Sequence, residues 1–353
     1  MSRYFTADLA GLDPYTPGEQ PQGEIRMKLN TNENPFPPSP RVAQAITREQ
    51  IDSLRLYEDP DSALLRQAAA KRYGLAPEQI VAGNGSDEIL MLAIRAFCGE
   101  GKGLAFPNIT YGFYKVWAAL FGIDSKEIPL AEDFSIRPAD YAHLGRTMVI
   151  ANPNAPSGLV LTPAQIEEIL RANPDDVLIL DEAYVDFGSE SCLPLLDKYD
   201  NLLVVHTFSK SRSLAGGRLG FGFGCPALIE DLNRVRYSMN PYNVNLLTQL
   251  AGIASLEDED YFRACVDQVC DIRDKTAAAL RQLGFIVTDS RTNFLFVRTD
   301  KMPGARLFDR LRQQGIVVRR WNDPLIADWL RISIGTREQM EQLVEIIRGI
   351  LEE

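Results

Sequence analysis

The sequence predicts an α/β protein with a large domain built on a mostly parallel, mixed sheet and a smaller α+β domain. Short continuous apolar runs, such as Val177-Leu178-Ile179-Leu180 and Leu202-Leu203-Val204-Val205, recur between segments of helical period. Such runs suit strands buried on both faces, with helices between them. A long helical pattern over 258–283 then separates them from a second group of strands. The chain has 353 residues, more than one core commonly holds, which fits one large domain and one small.

In order along the chain, residues 1–40 are rich in Pro, Gly and Asn and read as an irregular arm rather than a packed element. Residues 61–73 place Leu64, Leu65, Ala68 and Ala69 at helical spacing, with Gly74 as the stop. Residues 80–83 form a short strand. A helix over 87–97 follows, for which Ser86 by itself reads as the N-cap. Strands follow at 104–106, 148–151, 177–180 and 202–205, and 219–223 is an additional strand suited to antiparallel pairing. Beyond the long helix, 294–297, 316–318 and 330–334 are strands, while 305–313 and 337–351 are helices. This βαββα order suits a small α+β domain completed by the N-terminal arm. The expected division is an arm over 1–40, a large domain over 41–257 and a small domain over 258–353.

Composition narrows the function. Hydrophobic residues make up 45% and charged residues 24%, as in a globular chain. No apolar run approaches the ~18 residues of a membrane span, and the start, Met1-Ser2-Arg3-Tyr4-Phe5, lacks the apolar core of a signal peptide. Five scattered cysteines fit a reducing cytoplasm better than a disulfide framework. With two histidines, no metal site assembles by spacing. A net charge of −11 argues against nucleic acid as the partner, and means that an anionic substrate needs a local basic cluster.

Three side chains carry the chemistry. Lys210, in Thr207-Phe208-Ser209-Lys210, sits between apolar residues and a Gly-rich stretch, where backbone approaches a ligand closely; it is placed to bond an aldehyde cofactor. Asp181 ends an apolar strand, the end at which ligands gather in α/β sheets, and can pair with a protonated ring nitrogen. Arg218, in Gly216-Gly217-Arg218-Leu219-Gly220, can hold a phosphate. Pyridoxal 5'-phosphate requires these three groups of its protein.

Other residues gather around them. Tyr184 is placed to hydrogen-bond the cofactor's phenolic oxygen, and Tyr111 to stack on its ring. Gly83-Asn84-Gly85-Ser86-Asp87 joins a strand to a helix, whose free N–H groups would form a phosphate cup with Thr207, Ser209 and Arg218. Asp87 is expected to turn its backbone, not its carboxylate, to the phosphate. Arg331 is a charge inside an alternating apolar strand, a planar fork suited to carboxylate or phosphate, and Arg319 or Arg320 could join it. His143 and His206 read as structural.

The chain resembles the fold-type I aminotransferases, and among them the histidinol-phosphate aminotransferases. The resemblance runs nearly end to end: Leu12-Asp13-Pro14-Tyr15, Lys28-Leu29-Asn30-Thr31-Asn32-Glu33-Asn34-Pro35, Tyr57 before Asp59-Pro60-Asp61, Gly83 to Glu88, Asp181-Glu182-Ala183-Tyr184, Ser209-Lys210, Gly217-Arg218, Pro241-Tyr242-Asn243-Val244-Asn245 and Leu330-Arg331-Ile332. It implies pyridoxal 5'-phosphate bonded to Lys210 and held by Gly85, Ser86, Asp87, Tyr111, Asn154, Asp181, Tyr184, Thr207, Ser209 and Arg218. It implies a homodimer in which Tyr57 reaches the phosphate in the neighbouring subunit. Arg331 would grip the substrate anion, with Tyr15, Asn32 and Arg319 beside it.

The reaction implied is transfer of an amino group between histidinol phosphate and 2-oxoglutarate, giving imidazole-acetol phosphate and glutamate, in the cytoplasm. An aromatic amino acid aminotransferase and a phosphothreonine-type decarboxylase share the fold and stay open. One departure stands out: where the family carries Asn-Asn-Pro-Thr-Gly, this chain has Asn154-Ala155-Pro156-Ser157-Gly158. Either Asn154 takes over the bond to the phenolic oxygen, or Tyr184 makes it alone.

Overall fold

Hydrogen bonding sorts the apolar runs into one large sheet and two small ones. The structure, a computed structural model, describes residues 2–20 and 25–353. Its strands are β1 (Met27–Lys28), β2 (Ile80–Gly83), β3 (Leu104–Pro107), β4 (Ser125–Ile128), β5 (Thr147–Ala151), β6 (Leu178–Asp181), β7 (Leu202–Thr207), β8 (Gly220–Phe223), β9 (Phe285–Val287), β10 (Phe294–Thr299), β11 (Ile316–Val317), β12 (Arg319–Arg320) and β13 (Leu330–Ser333).

The seven-stranded sheet runs β2-β8-β7-β6-β5-β3-β4. The strands from β7 to β4 pair in parallel, and β8 lies antiparallel between β2 and β7. Leu178 and Leu180 pack into the core on one face while Ile179 packs into the core on the other. Both faces are covered, so the apolar runs are unbroken instead of alternating. The parallel strands β6 and β7 end together at Asp181 and Thr207, which brings the polar residues of both loops to one edge.

After the helix Glu259–Gln282, a second sheet is ordered β12-β13-β10-β9, all antiparallel. Its core joins Val269, Ile272 and Leu280 of that helix to Phe294, Leu330 and Ile347. The helices Gly304–Gln313 and Arg337–Glu352 complete this part; the second opens with a capping box between Thr336 and Gln339.

Four details differ from the sequence reading. The arm is not irregular throughout. Met27 and Leu29 are buried in the second core, and β1 pairs in parallel with β11, so a Pro- and Asn-rich stretch hides a two-residue strand. Residues 316–320 split between two sheets, β11 toward β1 and β12 toward β13. The edge strands β4 and β9 do not figure in the sequence reading; β4 is Ser-Lys-Glu-Ile, with its first three residues exposed, and β9 is only the three residues Phe285-Ile286-Val287. Ser86 is not a cap: the helix Gly85–Phe97 begins one residue earlier, with Asn84 at the cap position and no side-chain capping bond.

Candidate active site

Lys210, Asp181, Arg218, Tyr184, Tyr111 and Arg331 all line one cleft of 430 Å³ between the two sheets. Ser86, Asp87, Thr207, Ser209, Tyr15, Asn32 and Arg319 line it as well.

At its floor, Asp181 is buried at the end of β6. Its Oδ2 accepts from the Tyr114 hydroxyl at 2.7 Å and its Oδ1 from the Ala183 N–H at 3.2 Å. Burial outweighs these bonds and pushes its carboxyl up to about 6. No cationic side chain pairs with it among the described residues, so the floor holds a carboxylate that lacks a cation. Tyr114 is fully buried and was missed in the sequence, where it looked like ordinary helix core three residues after Tyr111.

A second cluster surrounds the start of the helix Gly85–Phe97. No side chain caps that end, and first-turn N–H groups have no partners within a helix. Gly85 has φ +79°, and a Cβ there would lie 2.5 Å from Arg218 Nη2. A Cβ on Gly220 would collide with the Ser86 backbone nitrogen. These two glycines let β8 and the arginine close on the helix end. Arg218 Nη1 lies 3.4 Å from Ser209 Oγ, and its Nη2 donates to Asp87 Oδ2 at 3.0 Å. Ser209 is in turn held by Thr207, whose hydroxyl donates to it at 3.1 Å. The Asp87 carboxylate also accepts from the Tyr111 hydroxyl at 2.8 Å. Both acceptor oxygens are therefore engaged, and the first-turn backbone is what this end can offer an anion.

A third cluster lies on the smaller sheet. Arg319 of β12 stands directly across from Arg331 of β13. Like charges opposite each other repel, and among the described residues no carboxylate pairs with either. Arg331 Nη2 donates to the Asn30 carbonyl at 3.0 Å, while its buried Nε has no partner. Burial pulls its pKa down from the usual arginine range, though an arginine remains charged. The guanidinium lies 5.3 Å from the ring centres of both Phe294 and Trp321. Arg320 turns away to the Ala327 carbonyl at 2.8 Å, so Arg319 is the neighbour that faces the cleft.

The segment Asn30-Thr31-Asn32 ties the clusters together. Lys210 Nζ donates to the Thr31 carbonyl at 3.3 Å, beside the carbonyl that receives Arg331. Tyr15 closes the cleft from the arm, stacked on Phe113 at 4.0 Å and 6.0 Å from the Tyr111 ring.

Two residues of the expected set stand apart. Asn154 does not face the cleft: its Nδ2 donates to the Ile109 carbonyl at 3.0 Å and its Oδ1 accepts from Thr110 at 2.8 Å, which leaves Ala155 and Pro156 on the wall. A local shift of Asn154 toward the phenolic oxygen is therefore not what this turn does. Tyr57 is 79% exposed, stacked on Tyr242 at 4.3 Å, and outside the cleft of its own chain.

The family described as aminotransferase class I and II matches residues 24–347. The chain belongs to this aminotransferase family. Among similar proteins, the histidinol-phosphate aminotransferase of Brachyspira hyodysenteriae is 46% identical over 352 residues, covering 99% of each chain. Histidinol-phosphate aminotransferase 2 of Dechloromonas aromatica is 48% identical over 354 residues, again 99% of each. Among solved structures, the histidinol-phosphate aminotransferase of Sinorhizobium meliloti in complex with pyridoxal-5'-phosphate superposes with a TM-score of 0.89 at 27% identity, over 99% of each chain.

The cleft of this aminotransferase fits that cofactor by its own chemistry. A buried carboxylate without a cation suits a protonated ring nitrogen. An uncapped helix end, pressed close by two glycines and flanked by Arg218 and Ser209, suits a phosphate. Lys210 opens onto the space between them.

Proposed function

We propose that the chain transfers an amino group between histidinol phosphate and 2-oxoglutarate, using pyridoxal 5'-phosphate bonded to Lys210. The observation that carries the substrate class is the Arg319–Arg331 pair, two guanidiniums on one face with no counter-carboxylate among the described residues. Such a pair calls for a strongly anionic group, and a phosphate ester or a carboxylate satisfies it. The names of the relatives at 46% and 48% identity support the same choice.

When bound, the cofactor supplies an electrophilic carbon and an electron-withdrawing ring. The chain's own residues supply the rest. Arg331 binds the substrate anion, and Arg319 and Tyr15 extend the grip along it. Lys210 Nζ, held near the Thr31 carbonyl, takes a proton from the substrate carbon and returns one, as general base and then acid. Asp181, buried and with Tyr114 behind it, would hold the ring nitrogen's positive charge. Arg218, Ser209, Thr207 and the backbone at Gly85 and Ser86 bind the phosphate, and Tyr111 covers the ring face.

The exposed Tyr57 supports a homodimer in which it completes a neighbour's phosphate site. The five cysteines are free thiols, which agrees with a reducing, cytoplasmic setting. Among the described residues no helix is long and apolar enough to cross a membrane.

The test is a rate comparison with the cofactor-loaded protein. Histidinol phosphate with 2-oxoglutarate should turn over far faster than phenylalanine with the same acceptor. A preference for phenylalanine would move the assignment to aromatic amino acids. Absence of transfer with any amino donor would remove it.

A further inference from the structure

Asn32 is buried to 1% exposure on left-handed backbone, with φ +57°, and three hydrogen bonds fix it. Its N–H donates to Ser333 Oγ at 2.8 Å, the Ser333 hydroxyl donates to Asn32 Oδ1 at 3.0 Å, and Asn293 Nδ2 donates to the Asn32 carbonyl at 2.9 Å. The remaining group, Nδ2, donates to the Tyr184 hydroxyl at 2.8 Å. The serine determines which way the amide points. Having accepted from the backbone N–H, it gives its own proton to Oδ1, and Nδ2 is left facing the tyrosine.

A hydroxyl that accepts from a fixed donor keeps its own proton for another acceptor. Among the described residues none takes the Tyr184 proton, and Tyr184 lines the cleft. Beside it, Ala155 and Pro156 offer no side-chain donor, and Asn154 is turned away.

We propose that Ser333 and Asn32 are positioning residues: through a two-bond relay from the small sheet they aim the Tyr184 proton at the phenolic oxygen of the cofactor. The proposal rests on the cofactor assignment above. A bond donated to that oxygen stabilises its anionic form, which weakens the hold on a proton at the neighbouring nitrogen that joins the cofactor to Lys210. The relay thereby sets the pH at which that nitrogen protonates. The ionisable groups facing Tyr184 are Lys210, Arg331, Tyr15 and Tyr114, and removing the Asn32 amide alters none of them.

The experiment is a pH titration of the visible absorbance of the loaded enzyme, without substrate, for wild type, Asn32→Ala, Tyr184→Phe, the double variant and Ser333→Ala. Losing one hydrogen bond to a charged acceptor should raise the midpoint by about one pH unit in Asn32→Ala. Tyr184→Phe should raise it at least as far, the double variant no further than Tyr184→Phe alone, and Ser333→Ala by less. A merely structural Asn32 would lower thermal stability and leave the midpoint in place; that result, with Tyr184→Phe shifted, overturns the relay. If Asn32→Ala does not fold, an unshifted midpoint in Ser333→Ala overturns it equally. Failure of wild type to take up the cofactor at all removes the cofactor assignment, and the relay with it.

Discussion

Tyr114 donates its hydroxyl proton to Asp181 Oδ2 across 2.7 Å, and both side chains are buried beneath the cleft. The tyrosine is held far above its ordinary pKa by burial and by the Asp181 charge, so it remains a donor throughout the working range. The pair explains how a strand-end carboxylate is kept in place while its carboxyl rises to about 6.

That rise makes the cofactor-free protein sensitive to pH. The folded chain binds this proton more tightly than the unfolded chain, where the value is 3.8. Stability therefore falls as pH climbs from there toward 6 and stays lower above it. The cost at neutral pH is about 2–3 kcal/mol, at 1.36 kcal/mol per pH unit. Asp181→Asn removes the ionisation, so the cofactor-free variant should gain that much on wild type between acid and neutral pH. Urea unfolding at both pH values measures the gain; the same difference at each would mean that Asp181 titrates normally.

Lys210→Ala should abolish transamination while the fold survives, because among the described residues no other lysine lines the cleft to bond the cofactor and move the proton. Loss of general acid–base help alone is about 10²–10⁴-fold, and the whole loss should be larger. Borohydride trapping and peptide mapping of the wild type should label Lys210. Label on a different lysine would refute the assignment.

The proposed shared-site dimer is open to a complementation experiment. A Lys210→Ala chain and a chain altered at Tyr57 should each be nearly inactive, and mixing them under subunit exchange should restore activity, since one site in each heterodimer is intact. A fully active monomer in sedimentation would rule out the arrangement.

Arg331→Ala should weaken both half-reactions, because in the proposed site one guanidinium would serve the phosphate of histidinol phosphate and the carboxylate of glutamate in turn. Each should lose about 1.5–3 kcal/mol. Changing Arg319 or Tyr15 should cost the larger phosphate substrate more. Inorganic phosphate should compete with histidinol phosphate, and the competition should fade in the Arg331 variant. If neither half-reaction responds to Arg331→Ala, the anion site lies elsewhere.

Much of this was legible in the sequence, for physical reasons that also mark the limit. Strands buried on both faces betray themselves as unbroken apolar runs, so β5, β6 and β7 could be read directly. Strand β4 carries Ser125, Lys126 and Glu127 exposed at an edge, and no burial signal reaches its sequence. Lys210, Asp181 and Arg218 stood out because their chemistry is unusual for their neighbourhoods. Tyr114 and Ser333 did not, since a buried hydroxyl in a helix or strand looks like core until its partner is known. Asn32 was noticed for its motif, but its hydrogen bond to Tyr184 joins residues 152 apart, a distance no local pattern encodes. The choice of Arg319 over Arg320 likewise depended on strand register.

Lys210 follows β7 of the large sheet, whereas Arg331 is mounted within β13 of the small one. On the proposed roles, the jaws that would hold the two ends of a substrate stand on different sheets, and the gap between them would act as a calliper. A molecule is gauged by its span from amine to anion, so a carboxylate and a phosphate ester can pass the same gauge if their spans can be made to agree. The helix Glu259–Gln282 buries Phe262, Val269 and Ile272 in the same core as Leu330 and Ile332 of β13. On the proposed roles, a substitution at these positions should shift substrate preference without altering any residue that lines the cleft.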